Sequence, residues 1–193
     1  ILFMQFIFLG PPGAGKGTQA SLLADRWQIS HVSTGDILRK AISGKTSLGL
    51  QAQAHVEAGE LVPDVLIMAL LREYFGQIDR NQGWILDGFP RTVTQAYALD
   101  ELLSIVRQPH PRVVFFEVAP EALVERMLAR GRQDDTRDTI RRRLEIYQAD
   151  TAPLVELYQR RKCLVKADGN RPVEAISHYL QHVLAQHQAK ALA

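Results

Sequence analysis

The chain has 193 residues, 46% of them apolar and 23% charged, with a formal net charge of +2 at neutral pH. That length suits one core domain with small insertions, the composition is globular, and so small a charge argues against a nucleic-acid groove. Cys163 is the single cysteine, which excludes an internal disulfide and a multi-cysteine zinc cluster. A reducing cytoplasm is the expected compartment. No apolar run approaches the roughly 18 residues of a membrane-spanning helix, so no membrane span is expected.

The run Leu2-Phe3-Met4-Gln5-Phe6-Ile7-Phe8-Leu9 is almost continuously apolar and stops at Gly10. This is the pattern of a strand buried on both faces. It lacks a basic n-region and a small-residue cleavage site, so it reads as a strand and not as a signal peptide. The spacing then predicts a helix over Lys16–Trp27, with Leu22, Leu23 and Trp27 on one side. His31-Val32-Ser33 is a short strand, and Ser33 or Thr34 offers an N-cap for a helix over 36–43. Residues 44–59 are polar and punctuated by glycines, with a peripheral helix near Ser47–Ala58 expected there. Pro63 suits the first turn of the helix that follows, which carries Val65, Leu66, Met68, Ala69, Leu70 and Leu71.

Trp84-Ile85-Leu86 is a compact apolar run ending in Asp87-Gly88. A helix is expected over 93–106, with Ala96, Leu99, Leu102, Leu103 and Val106 inward. A strand over 113–118 and a helix over 121–130 come next, then a short polar loop over 131–135. From Thr136, residues Ile140, Leu144 and Tyr147 keep helical spacing. Pro153 is expected to break that helix near Thr151, with a second segment reaching Arg161. Cys163-Leu164-Val165 is the last strand and 173–186 the last helix, followed by a tail expected to fray. Apolar strands alternating with helices predict an α/β fold of three layers, a parallel five-stranded sheet with helices on both faces, in a single domain.

The first turn after the opening strand reads Gly10-Pro11-Pro12-Gly13-Ala14-Gly15-Lys16-Gly17-Thr18. Strand before and helix after is the context of a phosphate loop. Backbone N–H groups can converge on phosphate oxygens where no Cβ intervenes, the helix N-terminus adds partial positive charge, and Lys16 reaches the transferring phosphates. One departure from the commonest pattern stands out: Gly17 follows Lys16, and the hydroxyl comes one position later, at Thr18. Mg²⁺ then falls to the nucleotide, to water and to a carboxylate elsewhere. Asp87, at the end of the Trp84-Ile85-Leu86 strand, is the candidate, a strand-end turn aspartate being the plainer alternative.

The 23 basic residues include only the lysines 16, 40, 45, 162, 166 and 190; the rest are arginines. Arginine presents a planar fork that suits phosphate oxygens, although genomic base composition would give the same bias. Two arginines follow strands directly, in Ser33-Thr34-Gly35-Asp36-Ile37-Leu38-Arg39 and Asp87-Gly88-Phe89-Pro90-Arg91-Thr92-Val93-Thr94-Gln95. An open parallel sheet places its ligands at such strand ends. A third set is Arg126, Arg130, Arg132 and Arg143, the first two sharing a helical face. Pairing with Asp134, Asp135, Asp138 and Glu125 is the alternative to anion binding, for Arg137, Arg141 and Arg142 especially.

Together GPPGAGKGTQ, STGDILR, GELVP, DGFPRT with Gln95, and RGRQDDT followed by RRRLEIY resemble the adenylate kinase family, in order and from Leu2 to about Leu184. The resemblance implies a P-loop kinase core, an AMP-binding flap over 33–62 and a short lid over 130–136 that carries no zinc site. It also implies residue roles. Gly13, Ala14, Gly15, Lys16, Gly17 and Thr18 would cradle the ATP phosphates. Thr34, Glu60, Leu61, Val62 and Gln95 would surround the AMP base, with Gly88, Phe89 and Pro90 beside them. Arg39 and Arg91 would hold the AMP phosphate. Arg126, Arg130 and Arg171 would meet ATP, and Arg132 and Arg143 would bridge the reacting phosphates. Lys16, Arg91, Arg130, Arg132 and Arg143 would be catalytic.

The implied reaction is MgATP + AMP ⇌ MgADP + ADP in a cytoplasmic monomer, with ATP, AMP and ADP as partners and neither nucleic acid nor membrane. A UMP/CMP-type nucleoside monophosphate kinase is the nearest alternative. Thr34 and Gln95 argue for AMP, since an amide offers both donor and acceptor to an adenine edge. A nucleotide-binding scaffold without catalysis should lack one of the charged residues, and none is missing.

Overall fold

A computed structural model of the chain describes residues 4–79 and 82–191. The first apolar run becomes β1 (Gln5–Leu9), buried at every position; Leu2 and Phe3 lie outside the described residues. With β2 (Ser30–Ser33), β3 (Trp84–Asp87), β4 (Arg112–Glu117) and β5 (Leu164–Asp168) it forms a parallel five-stranded sheet in the order β2-β3-β1-β4-β5. β1 pairs with β3 (Phe6 opposite Ile85) on one side and with β4 (Ile7 opposite Val113) on the other. From β1 the chain crosses to the edge strand β2, returns to β3 between the two, and then builds outward on the other side through β4 and β5. The strand order therefore reverses at β1, and the crevice for a ligand opens beyond the C-terminal ends of β1, β3 and β4.

The helices are α1 (Lys16–Trp27), α2 (Thr34–Ser43), α3 (Ser47–Ala58), α4 (Asp64–Gln77), α5 (Val93–Ile105), α6 (Pro120–Ala129), α7 (Arg137–Ile146), α8 (Pro153–Arg160) and α9 (Val173–Ala191). Alternate strand residues point to opposite layers. Ile7 and Leu9 join a core built with Leu38, Leu71, Leu99 and Leu154, from α2, α4, α5 and α8. Phe6 and Phe8 join another built with Leu23, Met127, Ile140 and Leu180, from α1, α6, α7 and α9. The fold class read from the sequence is borne out.

Several local expectations are corrected. Leu22 is 44% exposed; the buried face of α1 is Gln19, Ala20, Leu23 and Ala24, because a helix stripe advances by three or four residues and cannot hold adjacent Leu22 and Leu23 equally. Pro63 precedes α4 as its N-cap and does not sit inside the first turn. Val106 is the C-cap of α5. The helix over 47–58 is not merely peripheral: it lies so close to α2 that a Cβ on Gly49 would stand 2.0 Å from the Ala41 carbonyl oxygen. The last helix continues to Ala191, five residues beyond the expected 186.

The helix is interrupted near Thr151, as expected, with α7 ending at Ile146 and a second segment, α8, reaching Arg160. What the sequence did not show is how: residues Tyr147–Thr151 form a π turn in which Ala152 N–H donates to the Tyr147 carbonyl at 2.8 Å. Pro153 then opens α8, where a missing N–H is harmless. Thr151, at the end of the π turn, is buried. Its hydroxyl donates to the Arg91 carbonyl at 2.8 Å.

Candidate active site

Between β1 and α1 the chain wraps around a point just beyond the β1 end. Gly13 has φ +85°, and a Cβ there would stand 2.8 Å from the Leu123 carbonyl oxygen, so only glycine fits. Ala14 N–H closes the turn on Pro11 O at 3.2 Å. The N-cap of α1 is Gly15, which has no side chain to satisfy the first helical N–H groups. These groups and the positive end of the helix dipole face the cleft. Lys16 folds back over the loop, its Nζ donating to Gly10 O at 2.8 Å and Pro11 O at 2.9 Å. Burial pushes the Lys16 pKa down to about 8; Asp87 opposes the shift, and Arg91, Arg130 and Arg132 add to it.

Gly17 lies against the end of β3: a Cβ there would stand 3.3 Å from Asp87 Oδ2, a tight contact that a small shift of the carboxylate would relieve. Asp87 is 13% exposed, and His31 Nε2 lies 3.8 Å from that oxygen. A carboxylate oxygen suits Mg²⁺. Among the described residues no group of three or more His, Cys, Asp or Glu is placed to hold a metal, so Asp87 fits a metal that arrives with its nucleotide.

The ends of β2 and β3 build the next wall. Ser33 caps α2 by accepting from Asp36 N–H at 3.2 Å. One turn on, the Arg39 guanidinium pairs with the Asp36 carboxylate, and Arg132 reaches within 3.8 Å of the same oxygen. Burial raises the Asp36 pKa, but hydrogen bonds from Arg39 and Ser33 outweigh it and leave the carboxyl below its ordinary value. Thr34 is buried, with its hydroxyl 3.3 Å from the Asp87 carbonyl. Gly88 has φ +85°, and a Cβ would come within 2.7 Å of Thr34 Oγ1. Arg91 folds over this turn, Nε donating to Gly88 O at 2.8 Å. Gln95 is buried, its Oε1 accepting from Arg91 N–H at 2.7 Å and its Nε2 donating to Asp64 Oδ1 at 2.7 Å.

The third wall comes from the loop between α6 and α7. Here the alternative of pairing with nearby acids holds for two of the third set, since Asp134 and Asp135 pair with Arg130 and Arg143, and is corrected for Arg137, Arg141 and Arg142, which do not take these aspartates. Asp135, 1% exposed, receives Arg130 Nε at 2.5 Å and Arg143 Nη1 at 2.8 Å. Asp134 pairs with Arg143. Arg142 turns outward to Glu60 and Glu145, at 3.7 Å each. Adjacent aspartates in a loop reach the cleft side, while i,i+3 spacing already serves Arg142 within its own helix. Arg126 Nη1 donates to Gly169 O at 2.8 Å, which ties α6 to the turn bearing Arg171.

These walls enclose one cleft of about 1110 Å³. It is lined by Gly13 through Thr18, Thr34, Arg39, Glu60, Leu61, Val62, Asp87, Gly88, Phe89, Pro90, Arg91, Gln95, Arg126, Arg130, Arg132, Arg143 and Arg171. Every residue to which the resemblance gives a role therefore borders the same space. Burial pushes the Arg91 pKa down, and Arg143 and Arg39 add to this against Asp87. Arg132 is lowered by burial and by Arg130 and Arg39. Arg130 goes the other way, raised by its hydrogen bond to Asp135. Sequence reasoning missed Asp36, Asp64 and Thr151. Asp36 carried a signal, the i,i+3 spacing to Arg39; Asp64 and Thr151 meet their partners only through the tertiary fold.

A glycine loop at the switch point of a parallel sheet, facing converging arginines, defines a P-loop enzyme of phosphoryl transfer. A model of the adenylate kinase family matches residues 8–163. The adenylate kinase 1 of a Nostoc species is 53% identical over 180 residues, covering 93% of this chain and 98% of that protein. The adenylate kinase 1 of a Synechocystis species is 52% identical over 178 residues, covering 92% and 95%. An adenylate kinase of a Synechococcus species is 49% identical over 181 residues, covering 94% and 98%. The chain belongs to the adenylate kinase family and is a phosphotransferase. The resemblance read from the motifs is borne out.

Proposed function

We propose that the cleft carries out MgATP + AMP ⇌ MgADP + ADP with the residue roles implied by the motifs. The observation that supports this best is the convergence of Lys16, Arg39, Arg91, Arg130, Arg132 and Arg143 on one space. An oxygen of the AMP phosphate attacks the γ-phosphorus of ATP. The new O–P bond forms as the bond from that phosphorus to the β-bridging oxygen breaks, and ADP leaves. The second pKa of a phosphate monoester is about 6, so the acceptor is already dianionic and no general base is needed.

The obstacle is bringing two polyanions into line. The Gly13–Thr18 backbone and Lys16 hold the ATP phosphates, with Arg126 and Arg171 toward its base. Arg39 and Arg91 hold the AMP phosphate. Thr34, Gln95 and the 60–62 backbone meet the AMP base, beside Gly88, Phe89 and Pro90. Arg130, Arg132 and Arg143 offset charge on the transferring group. Mg²⁺ bound with ATP supplies further charge neutralisation, and Asp87 would hold it through water. Residues 33–62 act as a flap and 130–136 as a short lid, closing to exclude water that would hydrolyse ATP.

The protein works as a monomer in the cytoplasm. Among the described residues no helix is long and apolar enough to cross a membrane. A coupled assay with MgATP and each of AMP, UMP, CMP and GMP tests the proposal. Fast turnover with AMP alone is expected. Faster turnover of a pyrimidine would overturn the roles of Thr34 and Gln95 and leave the phosphate site standing.

A further inference from the structure

Gln95 is 2% exposed, and its amide is held from both ends by groups of single character. The Arg91 backbone N–H can only donate, and it meets Oε1 at 2.7 Å. The Asp64 carboxylate can only accept, and it meets Nε2 at 2.7 Å. The two constraints agree, so the amide has one orientation. One Nε2 hydrogen and one Oε1 lone pair remain for a base. Adenine presents an acceptor at N1 and a donor at N6. A 6-oxopurine presents a donor at N1 and an acceptor at O6 in the same places, and to bind it in the same pose the amide must turn over.

We propose that Asp64 is a positioning residue for nucleotide specificity: its carboxylate locks the Gln95 amide in the orientation that favours a 6-aminopurine monophosphate over a 6-oxopurine one. The inference rests on the reading that Gln95 meets the acceptor base. Asp64 opens α4 and lies one residue beyond Pro63, where α4 leaves the 60–62 backbone that lines the cleft. Turning the amide over would set the Gln95 carbonyl against the carboxylate and its NH₂ against the Arg91 N–H.

The test is kcat/KM for AMP and for inosine monophosphate with saturating MgATP, in the parent, Asp64→Asn, Asp64→Ser and Gln95→Ala. Asn and Ser can donate as well as accept, so both relax the lock, and each suits the start of a helix. The AMP-to-IMP ratio is expected to narrow roughly three- to tenfold in either variant, the difference between a hydrogen bond to a charged and to a neutral partner. The change should appear mainly in KM. An unchanged ratio in the Asp64 variants, with a changed ratio in Gln95→Ala, overturns the lock alone. Equal loss toward both nucleotides would show a merely structural role and overturn it too. An unchanged ratio in Gln95→Ala would remove Gln95 from the base site and the proposal with it.

Discussion

Lys16→Met should make the free protein more stable while removing its activity. Burial lowers the Lys16 pKa from 10.5 to about 8, so keeping the ammonium charged at pH 7 costs the fold about 3 kcal/mol. Water in the cleft screens part of this. Methionine removes the charge but leaves Gly10 O and Pro11 O without the donor they have at 2.8 and 2.9 Å; replacing those bonds by water forfeits about 1 kcal/mol. The net gain is about 1–2 kcal/mol, or roughly 2–6 °C in Tm for a domain of this size.

The pH dependence carries the sign. The folded pKa lies below the unfolded one, so the penalty is fully present below pH 8. It fades between pH 8 and 10.5, as the folded protein sheds a proton that the unfolded chain keeps. The variant's advantage should therefore be largest near neutrality, cross zero between pH 8 and 10.5, and become a deficit of about 1 kcal/mol above that, where only the lost hydrogen bonds remain. Thermal denaturation of both proteins across pH 7–10.5 measures it, with ADP formation measured alongside and expected to fall by about 10³ or more. A variant that melts at or below the parent at pH 7, or an advantage that does not shrink as pH rises, would refute the reasoning from charge burial.

Arg91→Ala and Arg132→Ala should each cost activity toward the lower end of the about 10³–10⁵ range for such arginines, because several cations share the transferring charge; steady-state rates within a few-fold of the parent would remove the assigned roles. Asp135→Asn breaks a 1% exposed carboxylate away from Arg130 and Arg143. It should destabilise the fold by about 3 kcal/mol, read from urea unfolding. A change under about 0.5 kcal/mol would show that Asp134 alone holds the loop.

The phosphate loop was legible because its chemistry is local: glycines, a lysine and a helix start must follow one another directly to wrap a phosphate. The strand and helix cores were legible for a similar reason, since periods of about two and 3.6 residues report which faces are buried. The interruption near Thr151 was legible from Pro153, but the π turn that makes it was not, since a proline shows where a helix stops and not how the turn before it winds. The acid partners of the third arginine set were legible as a group and not one by one, because spacing along one helix says nothing of which side a loop turns to.

Sequence alone thus determined the class of fold, the phosphate loop and the roster of cations, properties that depend on composition, order and short-range periodicity. Tertiary structure decided which carboxylate each cation faces, that Gly17 lies against Asp87, and how the Gln95 amide is oriented. These depend on contacts between residues far apart in the chain, such as Gly17 with Asp87 and Asp64 with Gln95. Those contacts exist only once the strands have paired and brought their C-terminal ends to one edge of the sheet.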